Sequence, residues 1–345
     1  MGIIKTETKA GIKTITVSKD FADEDIPKHV GRCLKADKFE ILREDADVLT
    51  EDGKVLLRFR KNVLPSKNIN AFYDNVIKFA STHKTTNRGI ASGTKKGNRG
   101  NNTNKPVASN ILGYMDTWTA QHKFMFKKVG MDIIYPAVRK SYFSQNHHEQ
   151  WDLMKPLIKD IDRMYRKLAP KEYRIQRKKA DETYFKINDT AFTTITTNVN
   201  YNTCIHTDKG DDPAGLGNLV VIQRGEYTGG ETCFIQYGVG VDVREGDFLL
   251  MDVHQIHGNT KLRLKNKDSV RLSIVSYLRM GIWKNTRRMT KKQAINHMNR
   301  IDEFYNKLDR TRKAGPKHNI TEKRVLLSRS FAQSEHKIAK DMGSP

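Results

Sequence analysis

Cysteine is scarce: the 345-residue chain has three, Cys33, Cys204 and Cys233, widely scattered and forming no CxxC pair. That argues against a disulfide framework and a cysteine-based zinc cluster, and makes a reducing compartment the simplest home. Long apolar runs are absent as well. The start, MGIIKTETKAGIKTITV, alternates charged and apolar residues where a signal peptide has an unbroken apolar stretch, and no later segment reaches bilayer-spanning length. The expectation is an intracellular, non-secreted protein with no membrane partner. Acidic residues are in short supply, 39 against 62 Lys and Arg, which leaves a formal net charge of +23. Such a surplus is the footprint of a protein that works on a polyanion, with nucleic acid the leading candidate and a generally basic surface the plainer alternative. No internal repeat is evident, and no sequence signal bears on oligomeric state.

What is present divides the chain into four stretches. Residues 1–66 hold short alternating runs, ITVSKDF and, after the turn signal EDG, VLLRFRKNVLP, which predict strands. Residues 67–182 read as helical support. NINAFYDNVIKFA spaces its apolar residues as a helix does, and Leu153, Leu157, Ile158, Ile161, Met164, Tyr165 and Leu168 form one stripe further on. Within this stretch Asn87 to Lys105 carries basic but no acidic side chains among glycines and asparagines, a composition for a loop that either wraps phosphates or sits idle on the surface. Residues 183–281 turn rich in Thr, Val, Ile and Tyr with frequent glycine, predicting the many short strands of a sandwich or barrel. Residues 282–345 return to basic, helix-forming sequence and then a polar tail. The fold class expected is α+β: a β core, a layer of helices and a basic helical C-terminal extension, all one unit.

The chemistry concentrates in the β-rich stretch. His206 and Asp208 stand two apart, so on a strand both side chains face one way and can meet one ion. An HxD pair alone is weak in a chain with eleven histidines. A third ligand and an anion anchor follow in order: His257, then Arg271 in the strand VRLSIVSYL. Two histidines and a carboxylate on one face of a metal leave the opposite positions open, as a non-haem Fe(II) oxygenase requires for 2-oxoglutarate and O₂. The guanidinium of Arg271 can grip the distal carboxylate of 2-oxoglutarate with two parallel hydrogen bonds, and Ser273 shares its strand face. His254 competes with His257 for the ligand role. His257 is favoured because HGN ends the run DFLLMDVHQIHGN beside a glycine turn. A functionless strand arginine is the alternative for Arg271, made less apt by the apolar Val270, Leu272, Ile274 and Val275 around it.

Three stretches resemble the TET/JBP dioxygenases: NRGIASGTK with SNILGYMDTW; AFTTITTNVNYNTCIHTDKGD; and GGETCF, GDFLLMDVHQIHGNT and VRLSIVSYLR. The likeness extends over residues 55 to 281, about two thirds of the chain. The resemblance implies a double-stranded β-helix (jelly-roll) fold and an Fe(II)- and 2-oxoglutarate-dependent dioxygenase that oxidises the methyl of 5-methylcytosine or thymine in DNA. It implies that His206, Asp208 and His257 bind iron and that Arg271 binds the cosubstrate. It draws Arg88 and Gly89 into substrate contact, and gives Asp211 the edge of the target base, where the plainer alternative is that Asp211 and Asp212 turn a polar loop before Pro213. A DNA substrate would place the protein in the nucleus or, for a virus, in the host cell. RNA or protein as substrate, and an inactive nucleic-acid-binding module, are the rival readings. No cysteine-rich region like that of the large animal TET enzymes is present, nor a clear insertion like the modified-base-binding domain of the kinetoplastid proteins.

Overall fold

The computed structural model describes residues 2–32, 34, 39–85, 88–93 and 106–313. The N-terminal stretch gives β1 (Ile3–Lys9), β2 (Ile12–Val17), the short α1 (Ile26–His29), β3 (Glu40–Leu42), β4 (Ala46–Thr50) and β5 (Val55–Arg60). The middle gives α2 (Ser66–Thr82), β6 (Ser109–Met115), α3 (Ala120–Lys128), β7 (Arg139–Lys140), α4 (Tyr142–Asn146), α5 (His148–Leu168) and α6 (Pro170–Asp181). Then come β8 (Thr194–Val199), β9 (Gly217–Arg224), β10 (Tyr227–Thr228), β11 (Thr232–Phe234), β12 (Val239–Val241) and β13 (Phe248–Met251). The described chain closes with β14 (His257–Asn259), β15 (Arg263–Leu264), β16 (Val270–Tyr277), α7 (Met280–Thr286) and α8 (Lys291–Lys313).

Among the described residues the strands form a large sheet in the order β1-β2-β4-β5-β13-β9-β16-β8-β6-β7 and a smaller one in the order β14-β11-β12-β3. Pairing is antiparallel except for β2 with β4 and β12 with β3. Alternation along each central strand divides its side chains between two cores. Val220, Ile222, Leu250, Leu272 and Ile274 face a helical layer, where α2 contributes Phe72 and Val76 and α5 contributes Met154, Leu157, Ile158 and Ile161. Leu219, Val221, Leu249 and Met251 face the other way, onto Leu42, Phe234, Val239 and Val241 of the small sheet. The architecture is thus a layer of helices on one side of a β sandwich.

Several expectations change at this level. Strand β6 lies inside the stretch expected to be helical support, yet it pairs with β8 in the large sheet. Its sequence SNILGYM is too short and too mixed in pattern to stand out from its helical surroundings. Leu153, expected on the core stripe of α5, is 56% exposed; Trp151 and Met154 occupy the inner face instead. Of the basic loop, Gly89–Ser92 forms a 3-10 turn and residues 94–105 lie outside the described chain. Helix α8, in the stretch expected as a basic helical extension, buries Ala294, Met298, Ile301, Phe304 and Leu308 against Trp118 and Phe126 and so closes a third core. The polar tail from residue 314 and Cys33 lie outside the described residues. Among those described, no helix is long and apolar enough to cross a membrane.

Candidate active site

The cleft between the sheets widens at one end into a cavity of about 1060 Å³. Its walls follow from strand parity. On β16, Arg271, Ser273, Val275 and Tyr277 line the cavity while Leu272 and Ile274 point to the helices. On β8, Thr196 and Asn198 line it, paired in register with Val275 and Ser273. The small sheet adds Thr232, His257 and Asn259. Two further segments line the cavity. The one around Gly31 and Arg32 exchanges backbone hydrogen bonds with Ile205 (2.8 and 3.1 Å); the one around Ala91 accepts from the Cys204 amide (2.9 Å).

His206, Asp208 and His257 converge here, with a donor atom of each within 4.8 Å of the others. His206 Nε2 stands 3.5 Å from one Asp208 oxygen and His257 Nε2 3.9 Å from the other. Both imidazoles are oriented from behind: Nδ1 of His206 donates to the Cys204 carbonyl and Nδ1 of His257 to that of Gln255, each at 2.8 Å. A proton fixed on Nδ1 leaves the Nε2 lone pair free to bind a metal, and the backbone acceptors hold each ring in place. Burial, then the neighbouring His206, lowers the His257 pKa to about 4, so this ring is neutral and fit to coordinate. For His206, burial opposes protonation but the hydrogen bond to Asp208 prevails and raises its pKa. Burial pushes against ionisation of Asp208 too, yet the two histidines bring its pKa below the ordinary carboxylate value. The three donors fit a divalent cation with an imidazole and carboxylate preference such as Fe(II).

The local route to this arrangement differs from a strand-face argument. Strand β8 ends at Val199, Asn200 takes a positive φ of 49°, and residues 201–210 run without a ladder. His206 is pinned by one antiparallel bridge to His257, with reciprocal backbone bonds of 2.8 and 2.9 Å. His257 begins β14 after the turn at 252–255, so the glycine beside it is inside the strand and not in a turn. Gly258 serves close approach: a Cβ there would stand 3.1 Å from the Ile205 backbone. His254, the competing ligand, has its Nε2 3.1 Å from the Asp212 carbonyl and lies outside the group of three.

Arg271 is 3% exposed. One of its terminal nitrogens donates to the Gly230 carbonyl (3.0 Å), while its Nε has no hydrogen-bond partner. Among the described residues no carboxylate pairs with it. A buried guanidinium without a counter-ion is costly unless an anion arrives to meet it. Gly230, at φ +82°, lets the backbone come this close, since a Cβ would lie 3.0 Å from Nε. Ser273 is held beside it by Asn198, whose amide donates to the serine hydroxyl at 3.3 Å.

Arg88, Gly89 and Asp211 also line the cavity. Burial lowers the Arg88 pKa, and Tyr277, Tyr201 and Asp208 oppose that shift. Burial first, then the Asp208 charge, pushes the Asp211 carboxyl well above the usual carboxylate range, toward a form that can donate as well as accept. Asp212 does the turn-making: it is buried, paired with Lys179, and accepts from the Ala214 amide. Sequence reasoning misses Thr196, Asn198, Tyr201, Tyr277 and Arg279 in the lining. Counting by twos from Ser273 reaches Tyr277; the register partners on β8 need the fold.

Residues 135–280 match the model of the Tet_JBP family, described as the oxygenase domain of the 2OGFeDO superfamily. Over these residues the chain is similar to a Tet_JBP oxygenase domain. The Tet_JBP match contains every ligand-type residue above except Arg88 and Gly89. The bifunctional helicase and thymine dioxygenase JBP2 of Leishmania braziliensis is 34% identical over 211 residues, 60% of this chain and 18% of that protein. Thymine dioxygenase JBP1 of Trypanosoma brucei brucei is 33% identical over 146 residues, 42% of this chain and 17% of that protein. The chain thus spans under a fifth of the length of these curated relatives. A solved structure titled NgTET1 in complex with 5mC DNA aligns at a TM-score of 0.48 and 16% identity, covering 78% of this chain and 84% of that one.

Proposed function

We propose that the chain is an Fe(II)- and 2-oxoglutarate-dependent dioxygenase of double-stranded β-helix type that hydroxylates the methyl group of a pyrimidine base in DNA. The observation that carries this reading is the pairing, in one cavity, of three convergent metal donors with a buried guanidinium that has no carboxylate partner among the described residues. His206, Asp208 and His257 would hold the iron and leave its remaining positions facing the cavity. Arg271 would pair with the distal carboxylate of 2-oxoglutarate, with the Ser273 hydroxyl as a further donor. When bound, ferrous iron, 2-oxoglutarate and O₂ supply the oxidising power that turns a methyl C–H into C–OH, with succinate and carbon dioxide as the other products.

The remaining roles belong to the mouth. Arg88, Gly89 and Asp211 would contact the base, with the Asp211 carboxyl at its hydrogen-bonding edge and the Arg88 charge near the adjoining phosphate or ring. A base stacked in a duplex cannot reach this depth, so the target enters flipped or single-stranded, and the surrounding positive charge holds the backbone meanwhile. The relatives' names point to thymine, and such work belongs in the nucleus. The test is to incubate the protein with thymine DNA, 5-methylcytosine DNA and RNA, reading the hydroxymethyl base by mass spectrometry and succinate in parallel. Product on RNA alone would move the substrate class. Succinate without a modified base would leave protein as the substrate, and neither product would reduce the chain to a binding module.

A further inference from the structure

The outer surface of helices α5 and α6 is a run of cations that the cavity does not use. The exposed cations on α5 are Lys159, Arg163, Arg166 and Lys167; on α6 they are Lys171, Arg174 and Lys178. The spacing repeats at three and four residues, so each helix carries one basic stripe, and the last turn of α5 leads directly into the first turn of α6. The inner sides are locked together beneath them, Tyr173 donating to Asp162 at 2.8 Å and its ring meeting Tyr165 edge-on at 5.4 Å. No residue of either helix lines the cavity. Helix α5 packs on the face of the large sheet that carries Val220, Ile222 and Leu272, whereas the cavity opens on the face that carries Leu219, Arg271 and Ser273.

Pairing separates this stripe from several other exposed lysines, which sit against carboxylates: Lys19 with Asp23, Lys54 with Asp52, Lys265 with Glu226 and Lys307 with Glu303. Among the described residues, only Arg163 of the seven has a carboxylate in reach, Asp160 at 2.8 Å. Like charges three and four residues apart repel along a helix, so the stripe weakens the helices that carry it. An external polyanion relieves that repulsion and releases its own counter-ions on binding.

We infer that α5 and α6 form a second nucleic-acid backbone site, on the side of the molecule away from the cavity, that takes phosphates without reading sequence. The test compares two five-fold variants by equilibrium binding of duplex DNA across a salt series. One carries Lys159→Gln, Arg166→Gln, Lys167→Gln, Lys171→Gln and Arg174→Gln; the control carries Gln at Lys5, Lys19, Lys54, Lys265 and Lys307, which are paired. Glutamine keeps helix propensity, and circular dichroism checks the fold. At about 0.9 for each phosphate that is no longer neutralised, the slope of log K against log salt falls by up to about 4.5 in the first variant and by less than about 1 in the control. Equal slopes in the two variants overturn the inference. So does a first variant that keeps its DNA slope but no longer binds a poly-glutamate peptide, which would assign the stripe to an acidic protein. Base oxidation on a short oligonucleotide is read separately and stays unchanged in the first variant, so failure of the cavity reading and of this one are distinguishable.

Discussion

Replacing Arg271 separates a cosubstrate anchor from a structural arginine, because the two roles predict opposite stabilities. The side chain is 3% exposed, donates to Gly230 and has an Nε without a partner. Without 2-oxoglutarate the protein bears the cost of burying that cation, and exchange of a buried charge for an apolar side chain of similar size is typically neutral or stabilising by about 1–4 kcal/mol. Arg271→Met should therefore melt no lower than the parent when no cosubstrate is present. With 2-oxoglutarate and a redox-inert divalent metal the order reverses: the parent gains stability and the variant does not. A charge-assisted hydrogen bond contributes roughly 1.5–3 kcal/mol, so losing a two-point grip costs about 3 kcal/mol or more, about two decades in 2-oxoglutarate affinity. Arg271→Lys, which keeps charge but not the fork, should fall between, with KM for 2-oxoglutarate raised more than kcat is lowered. Differential scanning fluorimetry with and without cosubstrate, together with succinate kinetics, reads both. A Met variant that melts several degrees below the parent without ligand, yet still responds to 2-oxoglutarate, refutes the reasoning.

Three other outcomes follow. His206→Ala and Asp208→Ala should lose both metal-induced thermal stabilisation and succinate release, whereas His254→Ala should keep both and lose only about 1 kcal/mol with its bond to the Asp212 carbonyl; isothermal metal titration checks the difference. Gly258→Ala should drive the Ile205 segment away from β14, at about 1–3 kcal/mol in stability and with weaker metal binding, since its Cβ would stand 3.1 Å from that backbone. Burial pushes the Asp302 carboxyl from 3.8 to about 6. Its folded pKa lies above the unfolded one, so its contribution is full below pH 4 and is lost as pH rises toward 6, by about 3 kcal/mol at most and less where water screens the group. Asp302→Asn should thus raise Tm at pH 7 and leave it unchanged near pH 4, by thermal unfolding at both.

The candidate ligands are legible in the sequence because their chemistry is local. Two imidazoles, a carboxylate and an arginine in an apolar strand are unusual enough in kind to stand out without a fold, and β16 keeps its period of two, so Arg271 and Ser273 share a wall as alternation demands. Strand parity is not what unites His206 with Asp208. They meet by way of an irregular segment held through one bridge to His257, and Gly258, which the sequence suggests is a turn, lets two backbones touch. Strand β6 and the exposure of Leu153 escape sequence reasoning for a related cause: a seven-residue strand and a single helical position take their identity from neighbours distant in sequence.

By itself, then, the sequence determined the alternation of β16, the amphipathic faces of α2 and α5, the excess of positive charge and the kinds of donor available, all of which are properties of near neighbours and of composition. Tertiary structure alone decided that His257 and not His254 joins His206 and Asp208, that Asn198 on β8 braces Ser273 on β16, and that Arg271 ends without a carboxylate partner among the described residues. Each of these depends on strand register and on how closely two backbones pass, and register is set by packing the whole sandwich at once.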